Sequence, residues 1–237
     1  TLSVSPCPND TFAFYQYLFL VNQKHTHVTF EDIQKLNERA IAGLRDVIKI
    51  SFAVYPLIQE DYIILESGAA LGLGCGPLLI SKKPINLSEV DKLKIAIPGL
   101  NTSANRLFRL LFPNHQKPVF TTYDNVMRLI DTGVVDAGVI IHENRFTYQA
   151  KGFSLATDLG ALWAKKYGEL LPLGGIVAKR SLGVEKLKLI SDQISSSIQW
   201  AFDNFNDPQL RQFILKNAQE LEDEVVNQHI QLYVNEY

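Results

Sequence analysis

Polar, reactive side chains stand in this sequence at places where apolar runs end. In "VIIHENR" (139–145) a β-branched stretch gives way at once to an imidazole and a carboxylate. Imidazole has a free-solution pKa of about 6.5 and exchanges protons near neutrality, which makes His142 a candidate proton acceptor. In "GLNTSAN" (99–105), Thr102 and Ser103 precede an apolar helical pattern. A helix start offers backbone N–H groups that favour an anion such as a carboxylate, and hydroxyl side chains there also act as plain caps. Ser51, closing "DVIKIS" (46–51), carries the same two readings. Asn9 and Asp10 in "SPCPND" (5–10) are N-cap candidates whether or not they touch a ligand.

Other constellations carry less. No G-x-S-x-G elbow, Walker loop, H-E-x-x-H or paired C-x-x-C occurs. His25 and His27 lie in "NQKHTH" (22–27) without carboxylate or cysteine company, which fits a solvated surface better than a metal site. His115 sits between two prolines in a loop, and His229 falls on an apolar helical stripe, where packing is the expectation. Gly72, Gly74 and Gly76 are followed by Pro77, so the spacing is not a dinucleotide fingerprint, and a strand or hinge that needs small residues is expected.

The elements that must hold these groups form a repeated plan. "LSVS", a proline-led turn and "TFAFYQYLFL" read as strand, turn and helix, with Phe12, Tyr15, Leu18 and Phe19 on one face. A helix over 31–42 ends at Gly43, and "DVIKIS" is a strand. From Leu93 the same order returns. Pro6-x-x-Asn9 is matched by Pro98-x-x-Asn101, and Gly43-x-x-Asp46 by Gly133-x-x-Asp136, at offsets of 92 and 90 residues. Two landmarks near one offset argue for two similar α/β lobes with parallel strands and helices on the faces. The expected division is lobe one at 1–82 plus 176–237 and lobe two at 83–175. Leu187, Ile190, Ile194, Ile198 and Ala201, then Leu210, Phe213, Ile214, Ala218 and Leu221, then Val225, Val226, His229, Leu232 and Tyr233 mark three C-terminal helices with core-facing stripes. Loops at the carboxyl ends of strands in such a protein are expected to face one another across a single central cleft.

Composition narrows the class. The chain has 237 residues, 46% hydrophobic and 20% charged, with a net charge of −2. No basic stripe points to nucleic acid, and no apolar run is long enough for a membrane span. The opening "TLSVSPCPND" shows no signal peptide, and Cys7 follows Pro6 rather than a small residue, against a lipid-anchored cysteine. Two cysteines, Cys7 and Cys75, read as thiols rather than a disulfide. The expectation is a cytoplasmic protein acting on a small molecule, without metal or organic cofactor.

"SPCPNDTFAFY", "DVIKIS" followed by "FAVY", "SGAALGLGCGPLL", "NTSAN" and "IIHENRFTY" resemble the 1,4-dihydroxy-6-naphthoate synthases, lyases of the menaquinone pathway. The resemblance runs in order along nearly the whole chain. It implies a two-lobed, type II periplasmic-binding-protein-like fold and conversion of cyclic dehypoxanthinyl futalosine to 1,4-dihydroxy-6-naphthoate with loss of a three-carbon sugar fragment. It also implies substrate-binding roles for Lys49, Ile50 and Ser51 and for Thr102 and Ser103, with His142 the proton acceptor. The second pair is often Thr-Ala in that family; Ser103 departs from it in a way that leaves the backbone contact intact. A solute-binding receptor on the same fold, capturing a small carboxylate, is the alternative from another class, since fold alone does not choose between them.

Overall fold

The computed structural model describes residues 1–21, 27–218 and 222–234; His25 and Leu221 lie outside them. The chain divides into two units, Thr1–Ala70 with Gly174–Tyr237, and Leu71–Leu173. The first unit begins β1 (Leu2–Val4), α1 (Pro8–Gln16), β2 (Val28–Phe30), α2 (Ile33–Ile41), β3 (Val47–Ser51), α3 (Tyr55–Ile58) and β4 (Tyr62–Ile64), and the chain leaves it through β5 (Ala70–Gly72). The second unit contains β6 (Leu78–Ser81), β7 (Ile95–Pro98), α4 (Ser103–Leu111), β8 (Pro118–Thr121), α5 (Val126–Asp131), β9 (Ala137–Ile140), α6 (Asn144–Thr147), β10 (Ser154–Asp158) and α7 (Leu159–Tyr167). The chain returns along β11 (Leu171–Lys179) and ends in α8 (Val184–Asp203), α9 (Pro208–Asn217) and α10 (Asp223–Tyr233).

Strand order in the first sheet runs β2-β1-β3-β11-β4, and in the second β10-β6-β9-β7-β8. The series β2-β1-β3-β11 thus has its counterpart in β8-β7-β9-β6. The first three strands of each series are parallel, and the fourth joins antiparallel. The Gly-x-x-Asp landmarks acquire a physical meaning here. Gly43 and Gly133 take positive φ, 65° and 70°, where their helices stop. The aspartate three residues later accepts from the main-chain nitrogen of the residue before the neighbouring strand, an ammonium at Thr1 and an amide at Lys94. Thr1 N reaches Asp46 Oδ2 at 2.9 Å, and Lys94 N reaches Asp136 Oδ2 at 2.7 Å.

Both sheets are mixed, whereas strand–helix alternation predicts parallel pairing throughout. The antiparallel strands β4, β6, β10 and β11 fall outside the strand–helix–strand repeats. The first passage between units comes at 70/71, earlier than the 82/83 boundary read from sequence, because β6 pairs along its whole length with β9, Leu78 opposite Ile140 through Ser81 opposite Ala137. The second comes at 173/174, against 175/176.

Each unit has its own apolar interior. In the first, Leu2, Val4, Phe14, Ile176, Ala178 and Ile194 fill one cluster, and Phe12, Tyr15, Leu210, Ile214, Val226 and Ile230 a second. α1 is therefore covered by all three C-terminal helices, with Tyr15 stacked on Trp200 at 5.5 Å. His229 is buried on α10, edge-on to Tyr233, in the packing position its stripe predicts. In the second unit Leu79, Ile95, Ile97, Phe108 and Val139 lie on one side of the sheet and Ile80, Ala96, Val126, Ile130 and Ile140 on the other. His115 Nε2 donates to Leu93 O, 3.0 Å away, and the ring meets Phe108 edge-on.

Candidate active site

In the first unit the polar groups gather after the carboxyl ends of β1 and β3, neighbouring parallel strands. Sequence expects Asn9 or Asp10 to cap α1. The observed N-cap is Cys7, Pro8 opens the helix, and Asp10 stands in its first turn, because proline suits the first helical position, whose N–H has no partner anyway. Asp10 instead turns back on the loop. Its Oδ2 accepts the Ser5 hydroxyl at 2.6 Å and the Ser5 N–H at 3.1 Å, and its Oδ1 accepts Asn9 Nδ2 at 3.0 Å and Lys49 Nζ at 2.7 Å. Both members of the Asp10–Lys49 ion pair are almost wholly buried, with side-chain exposures of 3% and 7%. A buried ammonium needs such a partner, since desolvating an isolated charge is costly.

Alternation along β3 puts Lys49 and Ser51 on one face and Ile50 on the other. Ile50 is fully buried, so its backbone, not its side chain, is what it can offer a ligand. The glycine pair at 174–175 on β11 is explained opposite these residues. A Cβ on Gly174 would lie 2.9 Å from Ile50 O and 3.2 Å from Lys49 Cε, and one on Gly175 would strike the Phe52 ring at 2.9 Å.

In the second unit Thr102, Ser103 and His142 follow the carboxyl ends of β7 and β9, again neighbouring parallel strands. Thr102 is the N-cap of α4; its hydroxyl accepts Asn105 N at 3.1 Å and donates to Gly99 O at 3.0 Å. The Ser103 hydroxyl donates to Leu173 O at 2.6 Å. Both hydroxyl protons are thereby committed within the protein, which leaves the helix-start backbone N–H groups as the donors available to an anion.

His142 has φ of 57°, the sole non-glycine among the described residues with a positive value. A left-handed conformation at a branched-ring residue stores about 1–3 kcal/mol and recurs at functional positions. It turns the chain out of β9 and into the single turn α6. The ring stands edge-on to Tyr123, centroids 4.8 Å apart. Arg145 braces the turn. Its backbone N–H donates to His142 O at 3.2 Å, and its guanidinium contacts the Gly76 carbonyl and pairs with Asp158 at 2.7 Å. Asp158 in turn caps α7 through Gly160 N at 2.8 Å. Gly76 and Gly160 are needed because these segments touch backbone to backbone. A Cβ on Gly160 would sit 2.1 Å from the Cys75 carbonyl carbon. Cys75 forms no disulfide, and burial pushes its thiol above the ordinary range, with the Arg145 guanidinium drawing it partly back.

The sequence reading missed Asn37, Tyr123 and Asp158, expected only helix capping from Asn9 or Asp10, and assigned no role to Arg145. Asn37 alone left a readable trace. It interrupts the buried stripe Ile33, Leu36, Ala40 of α2, and a polar residue at a core position has to be paired.

Similarity to known proteins runs along the whole chain. A family model described as menaquinone biosynthesis matches residues 1–237. Proteins of Thermus thermophilus and Streptomyces coelicolor, both named 1,4-dihydroxy-6-naphtoate synthase, are each 37% identical; each alignment spans this whole chain and 86% and 85% of the relative. A crystal structure of an Archaeoglobus fulgidus protein superposes with a TM-score of 0.92 at 30% identity, over 100% of this chain and 88% of that one. The alkanesulfonate-binding protein of Xanthomonas axonopodis pv. citri, bound to MOPS, gives a TM-score of 0.70 at 13% identity over 98% and 83%. That last likeness speaks for the fold alone, a two-lobed α/β fold of the periplasmic-binding-protein type. With matches along its full length, the chain belongs to the menaquinone-biosynthesis family.

Proposed function

We propose that the protein is a carbon–carbon lyase that converts cyclic dehypoxanthinyl futalosine to 1,4-dihydroxy-6-naphthoate, releasing a three-carbon sugar fragment, dihydroxyacetone, in menaquinone biosynthesis. The observation that carries this reading is the end-to-end 37% identity to two relatives named for making that naphthoate. Building an aromatic ring while expelling the sugar fragment requires a proton to leave the carbon skeleton. His142 is the proton acceptor in this reading. Its strained turn at a strand end, braced by Arg145 and Asp158, supports the role, because a base must be held within hydrogen-bond reach of the proton it takes.

Lys49, Ile50 and Ser51 of the first unit and Thr102 and Ser103 of the second bind the substrate. Lys49 and Ser51 offer side-chain donors from one strand face, and the start of α4 offers backbone N–H groups to a carboxylate. Among the described residues no helix is long and apolar enough to cross a membrane, and the place of work proposed is the cytoplasm. Purified protein supplied with cyclic dehypoxanthinyl futalosine should release naphthoate, followed by its absorbance. Tight binding of that compound with no naphthoate formed would favour the receptor alternative.

A further inference from the structure

The Ser51 hydroxyl carries an orientation that nearby geometry dictates. Asn37 lies on α2, fully buried, and meets Ser51 twice. Its Oδ1 accepts the Ser51 backbone N–H at 2.8 Å, and its Nδ2 donates to Ser51 Oγ at 3.0 Å. A backbone N–H can only donate, so the amide atom facing it must be the oxygen. The other amide atom is then the nitrogen, which can only donate, and Ser51 Oγ must accept. The hydroxyl proton is consequently turned away from Asn37, and among the described residues no acceptor lies within hydrogen-bond reach of it. Two residues back on the same strand face, Lys49 donates one ammonium hydrogen to Asp10, and its other two meet no acceptor among the described residues. Buried donors left open in this way call for an acceptor beyond the described residues, which a substrate oxygen supplies.

We propose that Asn37 is a positioning residue that fixes Ser51 as a hydrogen-bond donor, so that Ser51 and Lys49 together select an acceptor oxygen of the substrate, a carboxylate, carbonyl or enolate, over a group that can only donate, such as an ammonium. The proposal rests on the assignment of Ser51 to the substrate site made above. It explains why an amide occupies a core position of α2 where a leucine would pack. It also gives the strand end its selectivity, because a site built of donors rejects a group that brings only another proton.

The test measures KM and kcat on cyclic dehypoxanthinyl futalosine for the wild type, Ser51→Ala, Asn37→Asp, Asn37→Ala and the two Asn37 variants combined with Ser51→Ala. Aspartate matches asparagine in shape, but its carboxylate accepts both the Ser51 N–H and the Ser51 hydroxyl proton, turning Ser51 into an acceptor. Alanine frees the hydroxyl to rotate and covers the case in which a buried aspartate prevents folding. The expected result is a rise in KM of about tenfold for Asn37→Asp, similar to Ser51→Ala, with kcat changed less. In the Ser51→Ala background Asn37→Asp, which still accepts the backbone N–H of residue 51, should not raise KM further, because the hydroxyl that Asn37 orients is gone; Asn37→Ala there should lower stability through the lost N–H contact without a further rise in KM. A purely structural Asn37 would lower melting temperature equally in both backgrounds and leave KM alone; that outcome, with KM raised in Ser51→Ala, overturns the proposal and leaves the substrate site standing. An unchanged KM in Ser51→Ala overturns the assignment of Ser51 itself, and absence of naphthoate from the wild type overturns the lyase reading.

Discussion

His142 pays for its place in backbone strain, and that makes a prediction about stability. Glycine is ordinarily worse than alanine by about 0.5–1 kcal/mol, yet a left-handed residue costs alanine about 1–2 kcal/mol. His142→Gly should therefore unfold in urea at higher concentration than His142→Ala, by about 1 kcal/mol, while both lose turnover on the order of 10²–10⁴-fold. Equal stabilities would mean the positive φ is not held in solution, and near-normal turnover would move the proton acceptor elsewhere. The Asp10–Lys49 pair is a second test at this scale. Asp10→Asn leaves a buried ammonium without its counter-charge and should lose about 3–5 kcal/mol. Asp10→Asn with Lys49→Met should recover much of that loss, since a neutral pair carries no desolvated charge; no recovery would show that the Ser5 and Asn9 contacts, not the ion pair, hold the loop. Cys75 yields a prediction in pH. Because burial raises its thiol, alkylation by iodoacetamide should be slow at neutral pH and accelerate only at pH above that needed for an ordinary cysteine.

At the scale of elements, the site depends on how helices begin. Thr102→Val removes the Oγ1 acceptor that caps α4 and should cost about 1 kcal/mol in thermal or urea unfolding, beyond any change in KM. Asp158→Asn keeps an oxygen for the Gly160 N–H but not the charge that holds Arg145. Its stability should stay closer to wild type than that of Asp158→Ala while kcat falls in both; a full kcat in Asp158→Asn would show that Arg145 does not position the His142 turn. These elements also mark what the sequence made legible. The Gly-x-x-Asp spacing was readable because the glycine ends a helix and the aspartate begins the next strand within four residues, and the pair recurs. The helix-start hydroxyls were readable as a class, but whether Thr102 caps or binds was not, since both uses need the same residue. Asn37 with Ser51, and Arg145 with Asp158, were not readable as partners, because each pair joins different elements and only folding brings them together. β6 was misassigned for a related reason. A buried strand of three apolar residues and a serine carries no mark of which sheet will take it.

Over the whole molecule, the duplicated strand order hides an asymmetry in how the two units are written into the chain. The second unit is one continuous segment, Leu71–Leu173, with a complete five-stranded sheet covered by apolar clusters on both faces. The first is assembled from two segments far apart in sequence. β3 is paired along its length by β11, and the cluster around Leu2, Val4 and Phe14 is completed by Ile176, Ala178, Ile190 and Ile194. Without the later segment, β1, β2 and β3 would expose one apolar face and lose the antiparallel ladder on β3, so segment 1–70 cannot bury enough surface to offset its conformational entropy. Produced alone, segment 71–173 should therefore give a cooperative urea transition and dispersed amide resonances. Segment 1–70 alone should give neither, and should acquire structure only when segment 174–237 is added. A folded 1–70 in isolation, or a disordered 71–173, would mean that the division seen in the structure is not a division in folding.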